Sequence, residues 1–237
     1  MTEYKRIGLD TSKAVFTLHG IDQQDRPVLR INLRRPQLLA FFRKLPPTEI
    51  AMEACASAHH WARELTALGH EVRLVPPQYV KPYLKRGKND RNDAEAICEA
   101  AGRPGMHFVP VKSVSQQAQG MVLKVRETLV GQRTQMVNTL RGHAAEFGVI
   151  AAKGLCQVGP LLAAIEADIT IPPEAKEMAT LLGREIEHLD TRTKEIDVKL
   201  AAAHKANEVS QRLATIPGVG PLTALTLAIE IDPMAFE

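Results

Sequence analysis

Aromatic residues are scarce: one Trp, three Tyr and six Phe make up 4% of the 237 residues. A protein that binds single-stranded nucleic acid by stacking bases needs more π faces than this. Cysteine is nearly absent. Cys55, Cys98 and Cys156 are odd in number, widely spaced and without zinc-ligand spacing, which leaves no disulfide framework and reads them as small core or boundary residues. No apolar run approaches the roughly 20 residues needed to span a bilayer, and the Met-Thr-Glu-Tyr-Lys start has no signal-peptide apolar region. The expected location is the cytoplasm, with no membrane partner. A formal charge of +3 is too small to announce a nucleic-acid partner by itself, so local clusters of Lys and Arg carry that question. What is present, 45% hydrophobic and 24% charged residues, suffices for one large or two modest domains with a proper core.

The first hundred residues alternate. Tyr4 to Leu18 contains two short β-rich segments split by a polar Asp-Thr-Ser-Lys step. Val28 to Arg34 is a half-buried strand by period two, with Leu29, Ile31 and Leu33 on one side and Arg30, Asn32 and Arg34 on the other. Pro36 opens a short helix carrying Leu38, Leu39, Phe41, Phe42 and Leu45, and Pro46-Pro47 ends it. Thr48 to Ala54 returns as a strand, Ala58 to Leu68 is a helix closed by Gly69, and His70 to Val75 is a strand stopped by Pro76-Pro77. A three-strand meander followed by alternating helices and strands predicts an α/β domain with a mixed sheet, the layout of the ribonuclease H-like fold.

Four acids fall at telling places on this outline. Asp10 ends the first strand and Glu53 lies near the end of the fourth, which are neighbours in a ribonuclease H-like sheet. Functional groups gather at such strand ends. Asp90 and Asp93, three residues apart at an expected helix start, share one face. Carboxylates packed together repel unless divalent cations neutralise them, and hard oxygen ligands suit Mg2+. Two such ions serve in-line displacement at phosphorus. Lys85, Arg86, Lys88 and Arg91 surround the second pair and would hold nucleic acid by its phosphates. Local sequence leaves simpler roles open: Asp10 as a turn former, Glu53 at a surface edge, Asn92 or Asp93 as a helix N-cap, and the basic run, Lys81 included, as a solvated face. His59-His60 is a poor metal pair, since adjacent residues point to different sides of a helix.

Downstream, Ser113 to Phe147 reads as one long helix with Val122, Val125, Leu129 and Met136 in rhythm, although Gly120, Gly131 and Gly142 weaken it. Another follows Pro172-Pro173, where Leu182, Ile186, Leu189, Ile196, Leu200 and Ala203 form a coiled-coil-like seam with Thr193 in the gap. Joined by a Gly- and Pro-containing connection from Gly154 to Pro173, the two predict an antiparallel hairpin or a dimerisation arm, or an ordinary pair of packed helices. Lys124, Arg126, Arg133 and Arg141 on the first of them are candidate phosphate contacts or simply solvated charges. Leu213 to Leu225 is similar to a helix-hairpin-helix, with Gly218 and Gly220 permitting the tight turn and free N–H groups at the next helix start available to a DNA phosphate. Read plainly, it is a helix stop and restart with Pro221 at the first helical position.

Ile7-Gly-Leu-Asp-Thr-Ser-Lys13, Met52-Glu-Ala54, Lys88-Asn-Asp-Arg-Asn-Asp-Ala-Glu-Ala96 and Val125-Arg-Glu-Thr-Leu-Val-Gly-Gln-Arg133 together resemble the DEDD-type insertion-sequence transposases, relatives of the Piv DNA invertase. The likeness continues through Arg133 to Gly148. It implies a RuvC-like (ribonuclease H-like) domain over 1–110, a helical coiled-coil region over 111–206, and the start of a C-terminal transposase domain over 207–237. It also implies that Asp10, Glu53, Asp90 and Asp93 are the catalytic acids and hold Mg2+. Family members carry a nucleophilic serine in the C-terminal domain, which is expected beyond residue 237, so that strand exchange would be incomplete from this stretch. Some are guided by a structured bridge RNA. The expected activity is DNA transposition or recombination at insertion-sequence DNA, the expected partners DNA, a guide RNA where the member uses one, and a second copy through the helical region. A structure-specific junction nuclease and a non-catalytic nucleic-acid-binding and assembly remnant are the competing readings.

Overall fold

The computed structural model describes residues 3–84 and 90–231, with the backbone alone of Asp90 and Arg91. The chain forms two compact units, Met1–Ser113 and Val114–Glu237.

The first unit is built on five strands, β1 (Arg6–Asp10), β2 (Val15–Ile21), β3 (Pro27–Arg34), β4 (Glu49–Glu53) and β5 (Glu71–Val75), in the spatial order β3-β2-β1-β4-β5. β2 pairs antiparallel with β1 and β3, whereas β4 runs parallel to β1 and to β5. This is the mixed ribonuclease H-like arrangement expected from the meander, with β1 and β4 side by side. The helices are α1 (Leu38–Phe42), preceded by a 3₁₀ turn at Arg35–Gln37, α2 (Ala58–Ala67), the short α3 (Pro77–Val80) and α4 (Asp90–Ala101).

Strand alternation divides the sheet into two faces. Ile7, Leu9, Ile50 and Met52 join Phe16, Leu38, Phe42, Trp61 and Leu65 in one core, which α1 and α2 cover. Phe16 and Trp61 meet edge to face with centroids 5.1 Å apart. His70 is buried beneath α1: the Thr48 N–H donates to its Nδ1, which fixes the tautomer so that Nε2–H donates to the Phe42 carbonyl. On the opposite face lie Ala51, Val75, Val80, Ala96, Ile97 and Ala100, a second core made by small residues of the sheet and α4.

Gly8 is the point of closest approach on that face. A Cβ there would lie 2.2 Å from the Ala94 carbonyl oxygen and 2.7 Å from Cys98 Cβ, so only glycine admits the α4 backbone. Cys98 is sealed behind it, and burial pushes its thiol up to about 11. Cys98 is thus a core residue as expected, whereas Cys55 and Cys156 are exposed. The partly buried Glu49 carboxylate pairs with Arg6 and Arg73 at the start of β4, so neither charge of the Arg6–Glu49 pair is left alone.

The second unit consists of α5 (Val114–Glu146), α6 (Val158–Ala167), α7 (Pro173–Ala206), α8 (Glu208–Leu213) and α9 (Pro221–Glu230). The long helices α5 and α7 are antiparallel, since Arg126 pairs with Asp197 and Arg133 with Asp190. On α7 the predicted seam holds: Ile186, Leu189, Thr193 and Leu200 are buried, and the Thr193 hydroxyl donates to the Leu189 carbonyl. On α5 it shifts. Val125 is exposed, and the neighbouring Arg126 occupies the inward position with its acid partner. The expected open connection contains a helix, α6, which follows a 3₁₀ turn at Leu155–Gln157 and packs Leu161 and Ile165 with Leu140 and Ile186. Gly183 makes room for it, as a Cβ there would meet Leu162 Cδ1 at 2.5 Å. At the far end, Leu225 and Ile229 of α9 pack with Leu200.

Candidate active site at the ends of β1 and β4

In the parallel β1–β4 pair, Leu9 stands opposite Met52, so the residues that follow, Asp10 and Glu53, end adjacent strands about 4.8 Å apart. Asp10 is two positions beyond Gly8, and Glu53 two beyond Ala51. Alternation therefore turns both toward the face that α4 covers. Both are half-buried. The turn after β1 is closed by Ser12, whose Oγ accepts from the Val15 N–H and donates to the Val15 carbonyl. The two strand-end loops touch where Thr11 Oγ1 lies 3.3 Å from Cys55 Sγ.

Asp93 enters from α4. The helix already begins at Asp90, so Asn92 and Asp93 lie inside its first turn and neither is the N-cap. Burial raises the pKa of Glu53, and the Asp93 carboxylate raises it further, while the Lys81 ammonium opposes both. Glu53 thus feels a second carboxylate at the end of β4. Lys81, for which a solvated face was one open reading, is exposed and also supplies positive charge to Glu53. Its position follows from the 3₁₀ turn Lys81–Tyr83 after α3, an element the sequence reading did not include.

Among the described residues, no three His, Cys, Asp or Glu side chains converge closely enough to hold a metal ion. The side chains of Asp90 and Arg91 lie outside the described residues, as do Lys85, Arg86 and Lys88 entirely; of Asp90 and Arg91 the backbone lies in the first turn of α4. His59 is not a ligand in waiting: its Nδ1 accepts from the Lys112 N–H at 3.2 Å. In the second unit, Gly218 has φ 86°, which favours glycine and lets the chain turn between α8 and α9. Gly220 has φ −76°, open to any residue, and precedes Pro221 at the first position of α9. Three of the four α5 cations are occupied by acids, Lys124 by Glu127, Arg126 by Asp197 and Arg133 by Asp190.

Acids ordered along β1, β4 and α4 are the pattern that the sequence motifs resemble, and a transposase family model, that of the DEDD type represented by IS110, matches residues 7–148. The chain belongs to the IS110-type transposase family. Curated relatives agree with the family. A putative transposase of Sinorhizobium fredii is 51% identical over 98% of this chain and 60% of its own length. A probable family 20 transposase of Pseudomonas aeruginosa is 46% identical over 94% of this chain and 67% of its own. The transposase for insertion sequence element IS1111A of Coxiella burnetii is 40% identical, covering 96% and 63%. The chain therefore spans about 60% of the S. fredii relative and up to 67% of the others. The family match runs through all four candidate acids and on to the end of α5.

Proposed function

We propose that this chain supplies the acidic catalytic domain of an IS110-type transposase, acting on phosphodiester bonds of insertion-sequence DNA. The observation that carries the reading is the placement of Asp10 and Glu53 at the ends of adjacent strands, on the face that α4 covers, with the Asp93 carboxylate of α4 raising the pKa of Glu53. A half-buried carboxylate made harder to ionise by a second carboxylate is a site that gains from a divalent cation, and an all-oxygen donor set fits Mg2+. Asp10, Glu53, Asp90 and Asp93 would hold it, and Lys81 would temper the charge until it binds. When bound, Mg2+ stabilises charge on the attacking and leaving oxygens of a phosphoryl displacement. The sheet fixes Asp10 and Glu53 on rigid elements, and Gly8 holds α4 close enough for Asp93 to complete the pair. Lys85, Arg86, Lys88 and Arg91 would grip the DNA backbone next to the acids, and the turn containing Gly218 and Gly220 would do so in the second unit.

The same reading assigns 1–110 to catalysis, 111–206 to a helical assembly region and 207–237 to the start of the C-terminal transposase domain. Association of two copies through the helical region draws on exposed apolar residues such as Val125, Leu181 and Val198. A bridge RNA, where one is used, would bind within the same assembly.

The test is strand cleavage and transfer on element-end DNA with Mg2+, comparing the chain with Asp10→Ala and Glu53→Ala. Loss of metal-held charge stabilisation is worth several kcal/mol, so each variant is expected to lose on the order of a hundredfold or more. Activity unchanged in both overturns the assignment. Cutting of a four-way junction with no joined product selects the junction nuclease, and metal-independent binding with no cleavage selects the assembly remnant.

A further inference from the structure

The cations of α5 divide into two classes. Lys124, Arg126 and Arg133 are each paired with a carboxylate of the second unit. Arg141 is not: its Nη2 donates to the Ala151 carbonyl at 3.2 Å, and its covered Nε finds no acceptor. That single bond fastens the guanidinium to the loop after α5 without neutralising it. The same loop brings Lys153 alongside, and Gly154, at φ 119°, reverses the chain directly after it into the 3₁₀ turn Leu155–Gln157.

Arg141 and Lys153 line one cavity of about 430 Å³ together with Arg133 and Asn138, and no carboxylate lines it. Arg133 is half neutralised from behind, because Asp190 is shared between it and Lys194. Among the described residues neither Arg141 nor Lys153 has an acid partner. Three cations and a side-chain amide around an acid-free cavity make a receptor for an anion. The planar Arg donors match phosphate oxygens. The volume exceeds that of a lone ion and admits a phosphate still attached to its chain.

We propose that this cavity, at the C-terminal end of α5 in the second unit, binds a backbone phosphate of a polynucleotide. Only the choice of a polynucleotide as the source of the phosphate rests on the transposase reading; the anion site itself rests on the charges and the cavity. The arrangement also explains why α5 carries unpaired charge at this end alone. Along the rest of the helix, cations serve the α5–α7 contact or lie beside a neighbouring acid.

The experiment is the affinity of the full chain for a labelled 20-base-pair duplex, and for a single-stranded RNA of the same length, followed by fluorescence anisotropy across a salt series. Lys153 is exposed and makes no bond that the fold needs, so Lys153→Gln should fold normally. Removing one phosphate contact should flatten the log–log salt slope by about 0.9 for duplex DNA and weaken binding about eightfold near 0.1 M salt. Arg141→Lys, which keeps the charge but loses the fork, should bind more weakly than the unaltered chain. The control is Lys199→Gln, an equal charge change at an exposed position on α7, expected to leave the slope unchanged. A Lys153 effect on either polynucleotide supports the site, and the one affected identifies the source of the phosphate. Equal losses in Lys153→Gln and Lys199→Gln, or no loss in Lys153→Gln, overturn it. The readout is separate from cleavage: lost cleavage in the unaltered chain with Lys153-dependent binding intact sinks the catalytic reading and leaves this one standing.

Discussion

Gly8 decides how near α4 comes to the sheet, and so whether Asp93 can act on Glu53. The atoms a Cβ would strike, the Ala94 carbonyl and the Cys98 backbone nitrogen, belong to the α4 main chain and cannot swing aside. Gly8→Ala should therefore push α4 outward, at a cost of about 1–3 kcal/mol for overpacking. In a unit of this size that corresponds to a Tm lower by roughly 4–8 °C per kcal/mol. Gly131→Ala is the matched control, because a Cβ there meets nothing within 4 Å, and mid-helix alanine should stabilise α5 by about 1 kcal/mol. Melting curves that fall for the first and rise for the second bear this out; a neutral Gly8→Ala would mean that α4 is not held where the glycine puts it. At this scale the sequence was legible where chemistry is carried by residue type and order. Asp10 and Glu53 could be placed at strand ends because period-two patterns and Pro-Pro stops bound the strands. The role of Gly8 was not legible, since the atoms it makes room for are 86 and 90 residues away in the chain. The charge that Lys81 lends Glu53 was not legible for a related reason: nothing in Lys-Pro-Tyr announces the 3₁₀ turn on which it sits.

Among the elements, the α5–α7 pair shows where pattern reading stops. Period and length were enough to predict both helices within a residue or two, and the seam of α7, because its inward residues are apolar. The α5 face was assigned one position off at Val125, as a search for apolar residues passes over the arginines that occupy it. Arg133 and Asp190 keep only 22% and 19% of their side-chain surface, whereas Lys124 and Glu127 keep 76% and 71%. Screening by water should make these two ion pairs unequal. A double-mutant cycle to alanine, read by urea unfolding, is expected to give a coupling on the order of 1 kcal/mol for Arg133–Asp190. For the exposed intrahelical Lys124–Glu127 pair it should be clearly smaller, because water screens both charges. Equal couplings would show that the Arg133 pair is an ordinary surface contact and does not fix the register of the two helices. α6 is masked in the sequence because Gly159-Pro160 is a loop signal. Pro160 nevertheless sits in the first turn of that helix, where no backbone N–H is required of it.

For the molecule as a whole, each unit owns its cores: those beneath and above the sheet in residues up to Ser113, and those around α5 and α7 beyond it. All four candidate acids belong to the first. A fragment ending at Ser113 should consequently fold by itself, and the metal question can be put to it without any demand for complete transposition. The sign of the expected effect follows from Glu53. Because burial and Asp93 raise its pKa, the folded chain holds that proton more tightly than the unfolded chain does. The associated stability is present below the ordinary carboxylate range and is lost as pH rises through the raised value. At neutral pH in EDTA, Glu53→Gln should then melt higher than the unaltered fragment, and the difference should vanish on acidification. Mg2+ should reverse the order. A cation that binds only the folded state adds RT ln(1 + [L]/Kd), about 2.7 kcal/mol at a hundred times Kd, and Glu53→Gln has lost a charged ligand with which to collect it. Crossing melting temperatures between EDTA and Mg2+ are the expected result. If Mg2+ leaves the unaltered fragment where EDTA does, these acids do not form a metal site within the first unit, and the catalytic reading falls with it.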